Sequence, residues 1–229
     1  MASNITNRIT YGVDIVLCID ATGSMEPILD SVKEHALNFH RDFQAVMENK
    51  HKRVSSLRVR IVAFRDYMAD GASAMMVTRF FNLPEESELL DRCIRGITPD
   101  GGGDDPEDGL EALAYAIKSD WDMESRKRRH VIVLWSDDAT HELGFGKESK
   151  YYPGGMARDF AELSAWWGSP GVKGVMDESA KRLLLFTPAK EWWTTISRNW
   201  TNVIHEKSEK PGVADKNYSI ILNAICNTI

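Results

Sequence analysis

The chain has 229 residues, of which 43% are hydrophobic and 27% charged, a composition typical of a folded domain with its own core. Its net charge of −6 argues against a general nucleic-acid binder, because phosphate binding needs a basic face. Three cysteines are too few for a disulfide framework, and we find neither a signal-type apolar segment nor a run of membrane-spanning length. We therefore expect a cytoplasmic protein with no membrane contact, folded as a single domain over residues 1–229 with its core at about 13–229.

In the first half of the chain, short apolar runs alternate with segments of helical periodicity. "VDIVLCID" (13–20) predicts a buried strand, and residues 27–50 predict one helix. The apolar residues of that helix recur at spacings of three and four: Ile28, Val32, Ala36, Phe39, Phe43 and Val46. Residues 57–64 and 75–82 predict strands, the second at a sheet edge, and Pro84 begins another helix.

The second half continues the alternation after a glycine-rich loop at residues 98–105. We predict helices at 106–120, 156–167 and 191–200, and strands at 130–138, 181–188 and 201–206. A final helix at 218–229 is expected to pack through Ile220, Ile221, Ala224, Ile225 and Ile229. Strands alternating with helices indicate an α/β fold, a doubly wound and mainly parallel sheet with helices on both faces. In such sheets, ligands bind beyond the carboxyl ends of the strands.

Oxygen-bearing side chains follow two of these strands at that edge. Asp20, Thr22 and Ser24 occupy alternate positions just after the first strand, and Asp137 ends the strand at 130–138. Hard cations such as Mg²⁺ prefer oxygen ligands, and Gly23 permits a tight turn between the three residues. Asp104 in the glycine-rich loop could add another oxygen. The alternative is that Thr22 or Ser24 simply caps the following helix, as serine and threonine often do.

Three segments in this order resemble the von Willebrand factor A domains and their metal-ion-dependent adhesion site. Asp20-Ala21-Thr22-Gly23-Ser24 is similar to the DxTxS form of the family motif, "GGGDDPEDGLEAL" falls where the family has its middle loop, and Ser136-Asp137-Asp138 stands in place of the "TDG" turn. The resemblance covers nearly all of the chain. It implies a Rossmann-like sheet with one antiparallel edge strand, here 75–82, and a final helix coupled to the site.

The same resemblance implies that Asp20, Thr22, Ser24 and Asp137 surround Mg²⁺ or Mn²⁺, directly or through water. The departure is in the middle loop, where the usual threonine is replaced by Asp104, with Asp105 as the other candidate. Some intracellular and bacterial members resemble this "GGGDxPE" form. The implied function is non-enzymatic: a metal-dependent module that binds a protein partner through the metal-site face, within a multi-protein complex.

Two other functions remain open from the sequence. A metal-assisted phosphohydrolase could use the same acids, with His141 as the nearby candidate for a general base. A scaffold with a non-functional metal site is the other alternative. The stretch 140–156, rich in glycine and carrying Tyr151 and Tyr152, is expected to shape the ligand face. The basic run "RKRRH" (126–130) suggests either an anionic-ligand patch or a solvated helix end.

Overall fold

A computed structural model describes residues 10–101, 106–207 and 218–229. Within them the strands are β1 (Thr10–Asp20), β2 (Arg53–Phe64), β3 (Met75–Val77), β4 (Phe81–Leu83), β5 (Arg128–Trp135), β6 (Lys181–Thr187) and β7 (Val203–Lys207). The helices are α1 (Glu26–His35), α2 (Phe39–Asn49), α3 (Ser87–Arg95), α4 (Gly109–Ile117), α5 (Phe160–Trp167), α6 (Glu191–Asn199) and α7 (Tyr218–Asn227). No helix in these ranges is both long enough and apolar enough to cross a membrane.

The described strands form one mixed sheet in the order β3-β2-β1-β5-β6-β7, with β4 also paired to β2. The pairs among β2, β1, β5, β6 and β7 are all parallel, whereas β3 and β4 run antiparallel to β2 at the edge. The predicted α/β class, with its mainly parallel Rossmann-like sheet and antiparallel edge, is confirmed. The chain leaves β1 toward β2 and later returns to the other side of β1 as β5. The carboxyl ends of β1 and β5 are therefore the switch point at which ligands bind in such sheets.

Alternate residues of β1 supply two separate cores, as the two-residue period of a strand requires. Val13, Ile15, Leu17 and Ile19 face the layer made by α1, α2, α3 and α7. Val16 and Cys18 face α4, α5 and α6, where Trp167 and Trp193 are fully buried. A strand covered on both sides must be apolar almost throughout, which explains the uninterrupted "VDIVLCID" run.

Three predicted elements differ from the structure in detail. The helix predicted over 27–50 is two helices, α1 and α2, joined by the 3₁₀ turn Ala36–Asn38, although its apolar face continues across the joint. The strand predicted at 75–82 is two three-residue strands, β3 and β4, because the chain leaves the sheet between them. In α7, Ile220 is exposed rather than packed, and Leu222 and Cys226 are buried with Ile225.

Candidate metal centre

The first part of the site is a tight turn after the last residue of β1. Asp20 Oδ1 accepts hydrogen bonds from the Thr22 backbone N–H at 3.0 Å and from Thr22 Oγ1 at 2.7 Å. A 3₁₀ turn, Gly23–Met25, follows directly and leads into α1. Neither Thr22, which precedes the turn, nor Met25, which precedes α1, makes a side-chain capping hydrogen bond. The capping alternative therefore has no support, and the hydroxyls are directed toward carboxylates.

The second part comes from the loop after β5 and meets the first at the switch point. Ser24 Oγ donates to Asp137 Oδ1 at 3.0 Å, and Ser24 Oγ lies 3.4 Å from Thr22 Oγ1. Two ligands at right angles around Mg²⁺, each about 2.1 Å from the ion, are about 3 Å apart. The spacing of these three side chains is thus that of neighbouring ligands in one coordination shell.

Exposure is graded across the four side chains. Asp20 is completely buried, Thr22 and Asp137 are nearly so, and Ser24 is exposed. Ser136 helps to hold the Asp20 carboxylate in place, because its hydroxyl donates a hydrogen bond to Asp20 Oδ2 at 2.8 Å. We call these four side chains the bowl: the Asp20 carboxylate lies at its buried base, and Ser24 lies at its solvent-exposed side.

The electrostatics of the bowl favour a cation. Burial raises the pKa of Asp20 to about 6; the hydrogen bonds from Thr22 and Ser136 lower it, and the charge of Asp137 raises it further. A proton or a cation must offset the cost of holding these two carboxylates together, because like charges at short range repel.

Glu107 is an acidic neighbour that the sequence analysis did not identify. It is buried in the segment before α4, its Oε2 has no hydrogen-bond partner among the described residues, and its backbone carbonyl accepts from the Thr140 hydroxyl. Burial raises its pKa to about 9, with the charge of Asp20 as the next cause. The only sequence signal was its place in the acidic "DDPED" stretch, where every acid looks equivalent.

His141, the candidate general base, is placed differently from what a phosphohydrolase needs. It is buried, its Nε2 lies 3.0 Å from Asp66 Oδ2, and its ring stacks on Phe145 at 3.8 Å between centroids. Asp66 in turn caps the turn after β2 by accepting from the Met68 N–H. The contact between His141 and Asp66 links the loop after β5 to the loop after β2. The histidine therefore has a structural role in holding these two loops together.

The donor set can be compared with what a divalent ion requires. Asp104, the fifth predicted metal residue, lies outside the described residues, as does Asp105. In the described ranges, no group of three or more His, Cys, Asp or Glu side chains is arranged to hold a metal ion. A site at this position must therefore combine the carboxylates of Asp20 and Asp137 with the hydroxyls of Thr22 and Ser24. An all-oxygen set of this kind suits Mg²⁺ or Mn²⁺.

Comparison with curated protein sequences gives distant partial matches. The chain is 24% identical over 148 residues to the alpha-protein kinase vwkA of Dictyostelium discoideum, which covers 65% of this chain and 22% of that protein. It is 28% identical over 129 residues to a putative ariadne-like RING finger protein, R811, of Acanthamoeba polyphaga mimivirus, covering 56% of this chain and 11% of that protein. The matches span less than a quarter of either relative. No family model matches the sequence.

Comparison with solved structures aligns almost the whole chain. A von Willebrand factor type A protein from Catenulispora acidiphila gives a TM-score of 0.53 at 10% identity, covering 96% of this chain and 43% of that one. The pilus adhesin SpaC from Lactobacillus rhamnosus GG gives 0.53 at 13% identity, covering 95% and 30%. Proximal thread matrix protein 1 from the mussel byssus gives 0.51 at 10% identity, covering 96% and 49%. With the sheet order and the site geometry described above, these likenesses show that the chain has the fold of a von Willebrand factor type A domain.

Proposed function

We propose that this protein is a non-enzymatic, metal-dependent module that binds a protein partner. Asp20, Thr22, Ser24 and Asp137 would hold one Mg²⁺ or Mn²⁺ ion, and Asp104 is proposed as a further oxygen from the middle loop. When bound, the ion would supply a Lewis-acidic position that accepts an oxygen atom from the partner. The two carboxylates anchor the cation by charge, and the two hydroxyls complete the set without adding negative charge.

The observation that carries the proposal is the meeting of Ser24 Oγ and Asp137 Oδ1, 3.0 Å apart although 113 residues separate them in the chain. Ser24 is exposed, so this part of the bowl faces the surroundings while Asp20 stays at its base. An ion held here is accessible from one side only. That arrangement suits the binding of an external oxygen better than a closed structural site would.

The loops beside the bowl supply an apolar contact surface. Met68, Phe145 and Tyr151 are each about half exposed, at 50%, 52% and 47%, and belong to the loops after β2 and β5. Tyr151 packs over Gly71, where a Cβ would lie 3.2 Å from its ring, which fixes one loop on the other. Exposed aromatic and methionine side chains are enriched in protein interfaces. The predicted role of residues 140–156 in shaping the ligand face is part of this proposal.

Metal-dependent thermal melting tests the cation site. We expect Mg²⁺ or Mn²⁺ to raise the melting temperature of the protein in a saturable way, because an ion bound to the native state stabilises it. Asp20→Asn keeps the side-chain shape and should remove most of that shift. Asp30→Asn, an exposed carboxylate on α1, is the matched control and should retain it. A wild-type melting temperature that does not respond to either metal would instead favour a scaffold with a non-functional site.

Binding to the partner is tested separately with the protein purified from its native host. We expect co-purifying proteins to dissociate on addition of a chelator and to be absent from the Asp20→Asn preparation. A complex that survives chelation with no metal bound would contradict the proposal. Turnover of a phosphate ester that requires Mg²⁺ and is lost in Asp20→Asn would support the phosphohydrolase alternative.

A further inference from the structure

The amino ends of β5 and β6 carry two arginines that form no ion pair with a carboxylate of the described residues. Arg129 and Arg182 are each the second residue of their strand. Val131 and Leu184, two residues further along, belong to the core beneath α7, so the period of the strands places both arginines on that face. Neither forms a salt bridge within the described residues. By contrast, Arg128 binds Asp177 at 2.7 Å on the other face.

Backbone carbonyls hold the two guanidinium groups close together. Nη1 of Arg129 and Nη1 of Arg182 both donate to the Ser179 carbonyl oxygen, at 3.5 and 3.3 Å. Arg129 Nε also donates to the Thr228 carbonyl at 3.2 Å, at the end of α7, and its guanidinium lies 5.6 Å from the ring of Tyr11. Two like charges are thus fixed side by side before any ligand arrives.

Among the residues that the structure describes, no ion pair neutralises these two arginines. Burial lowers the pKa of Arg182, and the charge of Arg129 is the next cause, opposed by Glu178. Glu178 itself is already engaged by the Lys181 ammonium and the Thr201 hydroxyl. Arg126 and Lys127 are exposed immediately before β5 and add further positive charge to this edge of the sheet. Half-buried guanidinium groups that keep unused N–H donors, and that pair with no carboxylate in the described ranges, are well suited to binding an anion.

We propose that Arg129 and Arg182 form an anion site for a phosphate monoester, at the end of the sheet opposite the candidate metal centre. A phosphate monoester carries about −1.5 to −2 charges at pH 7 and three acceptor oxygens, and so matches two guanidinium groups. A carboxylate would leave one of the two charges uncompensated. The phosphate could belong to a phosphorylated side chain of a partner protein or to a small phosphate ester. Asp137 lies eight positions after Arg129 along β5 and the loop that follows it, about 26 Å at ~3.3 Å per residue, so the two sites are distinct.

Isothermal titration with inorganic phosphate, a phosphoserine peptide and the same peptide unphosphorylated tests the site. We expect saturable binding of inorganic phosphate and of the phosphopeptide, and none of the unphosphorylated peptide. Arg182→Gln should weaken phosphate binding by about tenfold or more, as loss of a charge-assisted hydrogen bond implies. Tighter binding of the phosphopeptide than of inorganic phosphate would identify a phosphorylated protein as the source, and equal binding a small phosphate.

Arg126→Gln is the matched control, because it removes the same charge from an exposed neighbour that forms no hydrogen bond or ion pair with the described residues. Within the described part of the chain, Arg182 donates only to the carbonyls of Ser179 and Lys181, so Arg182→Gln should fold normally, which circular dichroism would verify. Equal weakening in both variants would overturn the proposal, because it would mean diffuse attraction by surface charge. The absence of saturable phosphate binding would also overturn the proposal. So would the finding that a single-stranded oligonucleotide binds as well as phosphate does, and that Arg126→Gln weakens both equally.

Discussion

At the residue scale, hydrogen bonds fix the buried carboxylate of Asp20 at the base of the candidate metal centre. Its two carboxylate oxygens accept hydrogen bonds from the hydroxyls of Thr22 and Ser136, and the Thr22 hydroxyl also lies 3.4 Å from Ser24 Oγ. The hydrogen bonds fix the carboxylate in one rotamer, while burial and the charge of Asp137 raise its pKa to about 6. The divalent cation that we propose for this position would offset the repulsion between the two carboxylates.

Asp104→Thr tests the charge balance of the proposed site. If Asp104 is a ligand, as we propose, three carboxylates would face one dication and the formal charge would be negative, whereas a threonine would leave it near zero. We expect the variant to bind Mg²⁺ or Mn²⁺ more weakly and an acidic peptide more tightly, because Coulomb terms near a surface amount to a few kcal/mol. Calorimetric titration of metal and then of peptide measures both. Unchanged metal affinity would mean that Asp105 or water occupies that place.

Asp108→Asn tests the buried acids beside the site. Burial and then the charge of Glu111 raise the pKa of Asp108 from 3.8 to about 7; Tyr67 N–H and His141 lower it, and Asp66 raises it. A carboxyl whose pKa is raised by folding stabilises the protein fully below the unfolded value and loses that contribution as pH rises toward the folded one. The free energy of unfolding of Asp108→Asn, relative to wild type, should therefore increase between about pH 4 and 7, by a few kcal/mol at most.

Urea denaturation of both proteins at several pH values between 4 and 8 measures this difference. Asp30→Asn, on the exposed side of α1, is the control and should show no such trend. A difference between Asp108→Asn and wild type that stays constant with pH would show that the carboxyl is ionised throughout.

At the scale of elements, the helices pack by faces that sequence periodicity identifies only approximately. α7 buries Leu222, Ile225 and Cys226 against the core beneath α1 and α2, and leaves Ile220 half exposed. The run "YSIILNAICNTI" is apolar on more than one side, so its period alone could not select the buried face. Packing against α2 and the sheet determines which face of α7 is buried.

Two truncations on α7 give a direct comparison. Leu222→Ala should reduce the free energy of unfolding by about 2–4 kcal/mol, because it leaves a cavity in a closed core. Ile220→Ala, two residues away at an exposed position, should cost less than about 1 kcal/mol. Urea denaturation at neutral pH provides both values. Equal losses would mean that the helix buries a different face in solution.

At the scale of the molecule, the parallel sheet separates two proposed sites along its strand axis. The candidate metal centre lies at the carboxyl ends of β1 and β5, and the Arg129–Arg182 pair lies at the amino ends of β5 and β6. α7 shares a core with Leu17 and Ile28, and Thr228, the residue that follows this helix, accepts a hydrogen bond from Arg129. A small cavity of about 50 Å³ lies between α1 and α7.

Hydrogen exchange tests whether α7 is coupled to the metal centre. We expect the amides of α7 to exchange at different rates in the Mg²⁺-saturated and chelator-treated proteins, because α1 starts at the bowl and packs on α7. The amides of α6, on the opposite face of the sheet, should change little and serve as the internal control. Identical exchange of α7 in both states, with metal binding verified, would rule out this coupling.

The sequence by itself determined the fold class and the position of the candidate site. Alternating apolar runs and helical periods require a parallel sheet with helices on both faces, and oxygen side chains after two strands must meet at its carboxyl edge. The single-domain assignment and the metal roles of Asp20, Thr22, Ser24, Asp104 and Asp137 remain predictions. The split of the first helix at Ala36–Asn38 was not predictable, because its apolar face runs on without interruption.

Only the tertiary structure decided which side chains touch. It placed Ser24 against Asp137, Ser136 beneath Asp20 and Glu107 nearby, and it engaged His141 with Asp66. The sequence left open whether the basic run at 126–130 ends a helix. In the structure β5 begins at Arg128, within this run, and Arg129 lies beside Arg182. These contacts join residues tens of positions apart, through loops whose paths depend on packing. Local sequence patterns predict whether a segment is a helix or a strand, but they do not predict which distant residues the ends of that segment contact.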